Sequence, residues 1–318
     1  MSWRVLKFGG TSVGSPAALA AACGIVRRAA AESRPLVVVS ALSGVTSEIA
    51  RQLETARERD PAWRDGFRAL RERHRCQFAA VARGRGAVRE ADELDRGLER
   101  LRDLLRAVEL LGEVSPRTRA WVLACGERLS TPIFAAALAA SGLAAATLDG
   151  AEVLLAEGSH DDAFPDVAAS RPRLAARLAT LGAHVPVVTG FFGADAAGEV
   201  RLFGRGGSDT SATALGAALA AERVEIWTDV DGVATADPNL DPGAELLPRL
   251  SYDEVEAMAR AGAKVLHWKA VAPARDAAIP IVVRNTFRPL AAGTWIGTEK
   301  TPEASAGPAR GGASALLC

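Results

Sequence analysis

Short apolar runs alternate with longer stretches in helical period along this chain, and that alternation restricts the fold more than anything else in the sequence. "WRVLKF" gives way to a helical pattern from about Pro16 to Glu32, then comes "PLVVVS", then a second helical pattern after Thr46. Apolar β-branched runs separated by helix-length stretches spell βαβ units, and these require a parallel sheet covered on both faces. The predicted class is therefore α/β. From Pro61 to Leu111 the pattern turns wholly helical, and "FRALRERHRCQFAAVA" and "LDRGLERLRDLLRAVELL" predict a helical hairpin on the α/β body. The sheet resumes with "AAATLD", "VPVVTGF", "GEVRLFG", "VEIWTDV" and "IPIVVRN", with helices expected near Pro172 to Leu181, Ser208 to Ala221, Ser251 to Arg260 and Val265 to Ala278. The turn residues within "GFFGADAAGEVRLFGRGG" predict a β-hairpin. After Ile296 the text becomes rich in Gly, Pro, Ala and Ser, so residues 298–318 are expected to be a disordered tail.

Composition excludes several classes of partner. The 318 residues carry 38 basic and 38 acidic side chains, a balance that gives no global field for nucleic acid or an anionic membrane. The basic stretch from Arg71 to Arg89 is helical in period and surrounded by acids, which reads as a solvated face. Cys23, Cys76, Cys125 and Cys318 lack zinc or disulfide spacing, and the start "MSWRVLKF" lacks a signal-peptide core. A cytoplasmic location is expected. The most apolar stretch, Thr131 to Leu148, is broken by proline, serine and glycine and reads as a buried helix leading into a strand. His74, His160, His184 and His267 are isolated, with neither metal-ligand spacing nor a neighbouring nucleophile.

Only Lys7, Lys264, Lys269 and Lys300 among the 38 cations are lysine, and Lys7 stands just before a glycine pair in "RVLKFGGTSVGSP". There a strand would end at Phe8, Gly9 and Gly10 would permit close backbone approach, and Thr11 and Ser12 would precede a helix. This arrangement suits an anion, although a tight strand-to-helix turn explains the same letters. It matches neither a Walker A loop nor a G-x-G-x-x-G fingerprint. A second glycine-rich turn, Gly204-Arg205-Gly206-Gly207, places Ser208 and Asp209 where a helix cap is expected, but a cap does not call for an arginine among three glycines. "VEIWTDVDGVATADPN" puts Thr228 and Asp229 at the end of an apolar strand, within reach of a ligand, whereas Asp231 and Asp237 read as turn residues. Lys264 follows a Gly-Ala pair. Glu127 falls in an otherwise apolar helix beginning near Ser115, where it would either pair with Arg128 or Arg119 or face the amino group of a ligand.

In order, "VLKFGGTSV", "VVVSALSGVT", "CGERLS", "GRGGSDTSA", "EIWTDVDGVATADP" and "GAKVLH" resemble the aspartate kinases, over Trp3 to Ile296. The resemblance implies the amino acid kinase fold, a three-layer αβα sandwich with a mainly parallel sheet. It also implies ATP with magnesium, L-aspartate as acceptor, and 4-phospho-L-aspartate as product on the way to lysine, threonine and methionine. Lys7 and Asp209 would be catalytic. Ser40, Thr46, Glu127, Phe191, Arg205 and Ser208 would bind aspartate. Lys7, Gly9, Gly10, Ser12, Thr228, Asp229, Ala234 and Lys264 would bind the nucleotide, and no protein metal site is expected. Ala234 stands where relatives commonly carry a larger side chain, Asn239 where many have arginine, and His267-Trp268 where His-Pro is familiar. A catalytic domain over residues 1–297, with a helical insertion at about 61–112 and no ACT domain, is expected to escape inhibition by lysine or threonine. It would form a homodimer through the kinase fold, or take its control from a separate regulatory subunit. A same-fold kinase for another small carboxylate or phosphonate, and a non-catalytic ligand-binding subunit, are the alternatives.

Overall fold

A computed structural model of the protein describes residues 1–82, 87–236, 243–261 and 266–298. β1 (Trp3–Phe8), β2 (Arg34–Val39), β6 (Val185–Thr189), β9 (Arg223–Thr228) and β11 (Ile281–Asn285) form the parallel centre of an eight-stranded sheet. β3 (Ala145–Leu148) closes one edge, and β12 (Thr294–Ile296) with β10 (Arg249–Leu250) closes the other. Among the described strands of this sheet, only β11 and β12 pair antiparallel. β1 lies between β2 and β9, with Lys7 opposite Val38 on one side and Ile226 on the other.

Successive side chains on a strand point to opposite faces, and here each face meets its own core. Leu6, Phe8, Val37 and Val39 enter one cluster with α2 (Pro16–Glu32), α3 (Val45–Arg57) and α7 (Cys125–Ala140). Val5, Leu36 and Val38 enter the other, with α9 (Val167–Ala179), α10 (Gly207–Leu219) and α12 (Trp268–Asp276). The expected three-layer sandwich is therefore observed, and its two cores explain why the strands read as unbroken apolar runs. Lys7 shares the parity of Val5, which aims it toward the α10 layer.

The structure corrects four expectations. α4 (Trp63–Val81) and α5 (Val88–Leu111) fill the helical stretch, but they pack mainly against α3 and α7 and only slightly along each other. The helix expected to run on from Ser115 breaks at Ala124 into α6 (Pro116–Leu123) and α7, which re-aims the turn bearing Glu127. By composition this pair is apolar enough to cross a bilayer, yet it is buried inside the protein. α9 opens at Val167, before Pro172, because Asp166 caps it by accepting from the Ala169 N–H at 2.9 Å. Finally, the hairpin of β7 (Phe192–Ala194) and β8 (Val200–Leu202) forms as expected but does not join the main sheet. It belongs to a separate four-stranded sheet with β4 (Leu155–Gly158) and β5 (Ala163–Asp166).

Candidate active site

The carboxyl ends of β1, β2, β6 and β9 surround a cleft of about 530 Å3. Open parallel sheets bind ligands at this edge, because the chain leaves each strand there through a turn whose backbone is free to meet a ligand. Lys7, 8 % exposed, reaches the cleft from β1, and its Nζ lies 2.6 Å from Asp209 Oδ1. Asp209 is available because α10 starts earlier than its sequence suggests. Gly206, at φ +68°, is the N-cap, and Ser208 and Asp209 occupy the first turn and make no cap of their own. A side chain at Gly206 would be strained, and its Cβ would come within 2.6 Å of His267 Cβ. The carboxylate also sits favourably at the positive end of the helix.

Glu127 enters from the opposite layer. It is 3 % exposed, its Oε1 accepts from the Ala41 N–H at 3.0 Å, and its Oε2 is buried without a hydrogen-bond partner. The arginines that might have neutralised it are engaged elsewhere, Arg128 with Asp149 at 2.6 Å and Arg119 with Glu54 at 3.0 Å. Burial pushes its carboxyl up to about 8, against the opposing pull of the Ala41 N–H and Lys7. An orphan carboxylate oxygen in a cleft is a demand for a donor, best met by a cation.

Phe191 follows β6 in the left-handed region at φ +76°, an uncommon conformation for a residue with a Cβ. The Phe203 N–H, donating to the Phe191 carbonyl at 2.9 Å, holds it there, and its ring lies where a Cβ on Gly207 would approach Cδ2 to 2.7 Å. The loops after β1 and β2 interlock. The Ser43 N–H donates to the Gly10 carbonyl at 3.1 Å, and a Cβ on Gly10 would stand 2.9 Å from the Ala41 oxygen.

The cleft thus gathers Lys7, Gly10, Glu127, Phe191, Ser208 and Asp209, with Ser40 and Thr46 beside them. Gly9, Thr228 and Asp229 line its other half. The Gly9 N–H is already donated to the Trp227 carbonyl at 3.1 Å, so this glycine contributes space and no donor. Not every expected residue lines the cleft. Ser12 is fully buried and turned from the cleft, its hydroxyl 2.6 Å from Thr286 Oγ1 and 3.3 Å from the Trp227 carbonyl. Its neighbour Thr11 lines the cleft instead, because consecutive residues on a helical turn face different sides. Ala234 is bridged to Leu246 and does not line the cleft. Arg205 is exposed at the rim and makes no hydrogen bond or ion pair among the described residues. Asp231 does more than shape a turn, since it accepts from Asn285 Nδ2 at 2.9 Å and pairs with Arg288. Lys264, Asp237 and Asn239 lie outside the described residues.

Two residues escaped the sequence reading. Gln77 Nε2 donates to the Val13 carbonyl at 2.6 Å, and Arg73 Nη2 donates to the Ser43 carbonyl at 2.9 Å. One face of α4 thereby holds both interlocked loops. No local signal announces such contacts.

Comparison with known proteins adds kinship to this geometry. Residues 2–285 match the profile of the amino acid kinase family. The chain is 34% identical over 295 residues to a bifunctional aspartokinase/homoserine dehydrogenase 2 of Zea mays, covering 92% of this chain and 32% of that protein. It is 33% identical to aspartokinase 2 of Arabidopsis thaliana, covering 92% of this chain and 54% of that one. Among solved structures, E. coli aspartokinase III in complex with aspartate and ADP superposes with a TM-score of 0.84 at 34% identity, covering 94% of this chain and 65% of the other. The chain therefore spans less than two thirds of the length of each of these relatives.

Proposed function

The chain belongs to the amino acid kinase family, and on that footing we propose that it transfers the γ-phosphoryl group of ATP to the side-chain carboxylate of L-aspartate, giving 4-phospho-L-aspartate and ADP. The observation that carries this proposal is the pairing, within one cleft, of an orphan buried carboxylate oxygen on Glu127 with a cation, Lys7, held by Asp209. The first suits the α-ammonium of an amino acid and the second a transferring phosphoryl group. The E. coli relative with bound aspartate and ADP supports the same assignment.

A free aspartate side chain is ionised at neutral pH, so its oxygen is already nucleophilic and needs no general base. That oxygen forms a bond to the γ-phosphorus, the bond from phosphorus to the β,γ-bridging oxygen breaks, and its electron pair leaves with ADP. The barrier lies in bringing two anions together. Lys7 meets the charge of the transferring group, and Asp209 fixes the direction of its ammonium. Glu127 receives the α-ammonium through Oε2 and releases its own proton to solvent as it does so. Arg205 folds from the rim over the α-carboxylate, where its planar fork can bind two oxygens at once. Phe191, Ser208, Ser40 and Thr46 complete the acceptor pocket, and Gly9, Gly10, Thr228 and Asp229 border the nucleotide, with Lys264 assigned there by the sequence resemblance alone. Magnesium would come with the nucleotide's phosphates, a hard cation suited to phosphate oxygens and water. The proposal extends to a cytoplasmic enzyme of amino-acid biosynthesis, upstream of lysine and threonine.

An acceptor panel of L-aspartate, D-aspartate, L-glutamate and succinate, with ATP and magnesium, tests this. ADP release is expected with L-aspartate alone, together with a product that hydroxylamine converts to a hydroxamate. Equal rates with succinate would remove the role given to Glu127, and no release with any acceptor would contradict the activity.

A further inference from the structure

The outer surface of α4 and α5 holds a second concavity of about 560 Å3, which shares no lining residue with the cleft. Its floor is apolar, made by the buried rings of Trp63 and Phe67 one helical turn apart. Arg64, Arg68 and Arg71 recur on one face of α4, and Arg102 and Arg106 face them from α5 one turn apart. No carboxylate is among the lining residues.

The five guanidinium groups are not equivalent. Arg64 is fixed, bidentate on Glu109 at 2.7 and 2.6 Å and lying 4.9 Å from the centre of the Trp63 ring. Arg68 and Arg102 are tied at the rim to Asp65 and Asp103. Arg71 and Arg106 have no hydrogen bond or ion pair among the described residues, although the Glu109 carboxyl, held below its ordinary value chiefly by its hydrogen bonds from Arg64, also feels the charge of Arg106. In a chain whose formal charges cancel overall, five cations drawn around an apolar floor repel one another, and only part of that repulsion is answered within the protein.

We infer that this concavity is a second ligand site, for a small, multiply charged anion bearing phosphate or carboxylate groups. Two guanidinium forks on facing helices, neither hydrogen-bonded within the described residues, present their donors to an anion with at least two charged groups, and arginine binds such oxygens through paired donors. The rigid floor excludes water from one side of the ligand and strengthens the contacts above it. Since the groups lie near the surface, added salt should weaken binding.

Calorimetric titration of tripolyphosphate and, separately, citrate into the whole protein tests the inference. Three proteins are compared: the wild type, the double variant Arg71→Ala/Arg106→Ala, and the control Arg27→Ala/Arg28→Ala, which removes the same charge from two exposed residues of α2. Anion binding in the cleft contributes equally to all three. At least one anion should bind tenfold or more weakly to the first double variant and within twofold of wild type to the control, with ATP turnover unchanged in both. The stronger of the two anions identifies phosphate or carboxylate as the preferred group. Equal losses in both double variants, or affinities in the first indistinguishable from wild type, would overturn the site. If the first double variant does not fold, Arg106→Gln alone is read in its place, with a threefold loss expected and no loss contradicting the inference.

Discussion

Where β1 and α7 face each other, the charged groups of the cleft are buried or nearly so and held in place: Lys7 against Asp209 and Glu127 against the Ala41 N–H. Where β9 runs out, Asp229 is exposed, and its carboxylate accepts from its own neighbour, Thr228 Oγ1, at 3.1 Å. The first half, which we assign to aspartate and the phosphoryl group, is built of ionisable groups that the fold has already buried and oriented, with one oxygen of Glu127 left for a ligand to satisfy. The second, which we assign to the nucleotide, offers backbone, glycine space and solvated polar groups. A pre-oriented charge acts strongly on a transition state because little reorganises during reaction, whereas solvated contacts contribute mainly to binding and tolerate change. Substitutions in the two halves should therefore differ in both size and kind.

The largest effect is expected at Lys7. Lys7→Ala should lower kcat by two to three orders of magnitude, about 3–4 kcal/mol of barrier, with a much smaller change in the KM for aspartate. A variant with near-normal kcat would erase the contrast between the halves. Glu127→Gln comes next. Its amide can keep the Ala41 contact but loses the negative charge, so the aspartate KM should rise by about 2–3 kcal/mol, roughly 30- to 150-fold, with kcat less affected.

Glu127 also predicts a pH signature in the ligand-free protein. Its folded-state value, about 8, lies above the ordinary 4.5, so between these limits the native protein holds a proton that the unfolded chain has released. Its contribution to stability is thus fully present below about pH 4.5 and is lost as pH rises through 8. The difference in Tm between wild type and Glu127→Gln should move against the wild type from pH 5 to 8, and a flat difference would contradict the buried neutral carboxyl.

Smaller still, Gln77→Ala should cost about 1–2 kcal/mol of stability by leaving the buried Val13 carbonyl unpaired. It should also lower kcat severalfold, because the Gly10 loop loses an anchor, whereas Gln77→Glu, which offers the carbonyl no donor when ionised, should not restore it. The smallest effect belongs to Ala234→Tyr. Bridged to Leu246 and away from the cleft, this position should change the ATP KM less than about threefold. A large change would move the boundary of the nucleotide half.

What could be read from the sequence follows the same division between local and distant causes. The strands of the main sheet's centre were legible because each is a short run buried on both faces, and Lys7, Gly9, Gly10 and Asp209 because glycine turns punctuate those runs. Glu127 stood out as a charge in apolar text. Ser12 and Thr11 were not separable, since the phase of a single helical turn decides which hydroxyl faces the cleft. Of the second sheet only the β7–β8 hairpin was legible, from its turn residues; β4 and β5 went unread because they have four residues each and include Gly, Ala and Pro. Gln77 and Arg73 act on loops 64 and 30 residues away, and only the folded chain brings them together.

The central claim is that a side-chain oxygen of aspartate becomes bonded to phosphorus in this cleft. L-aspartate labelled with 18O in its side-chain carboxylate, incubated with ATP, magnesium and the protein and then quenched with hydroxylamine, tests that bond directly. Hydroxylamine attacks the acyl carbon, so the phosphate it displaces carries the former carboxylate oxygen, and 31P NMR should show it shifted by one 18O. Phosphate without label, released at the same rate as ADP, would mean transfer to water and would contradict the assignment.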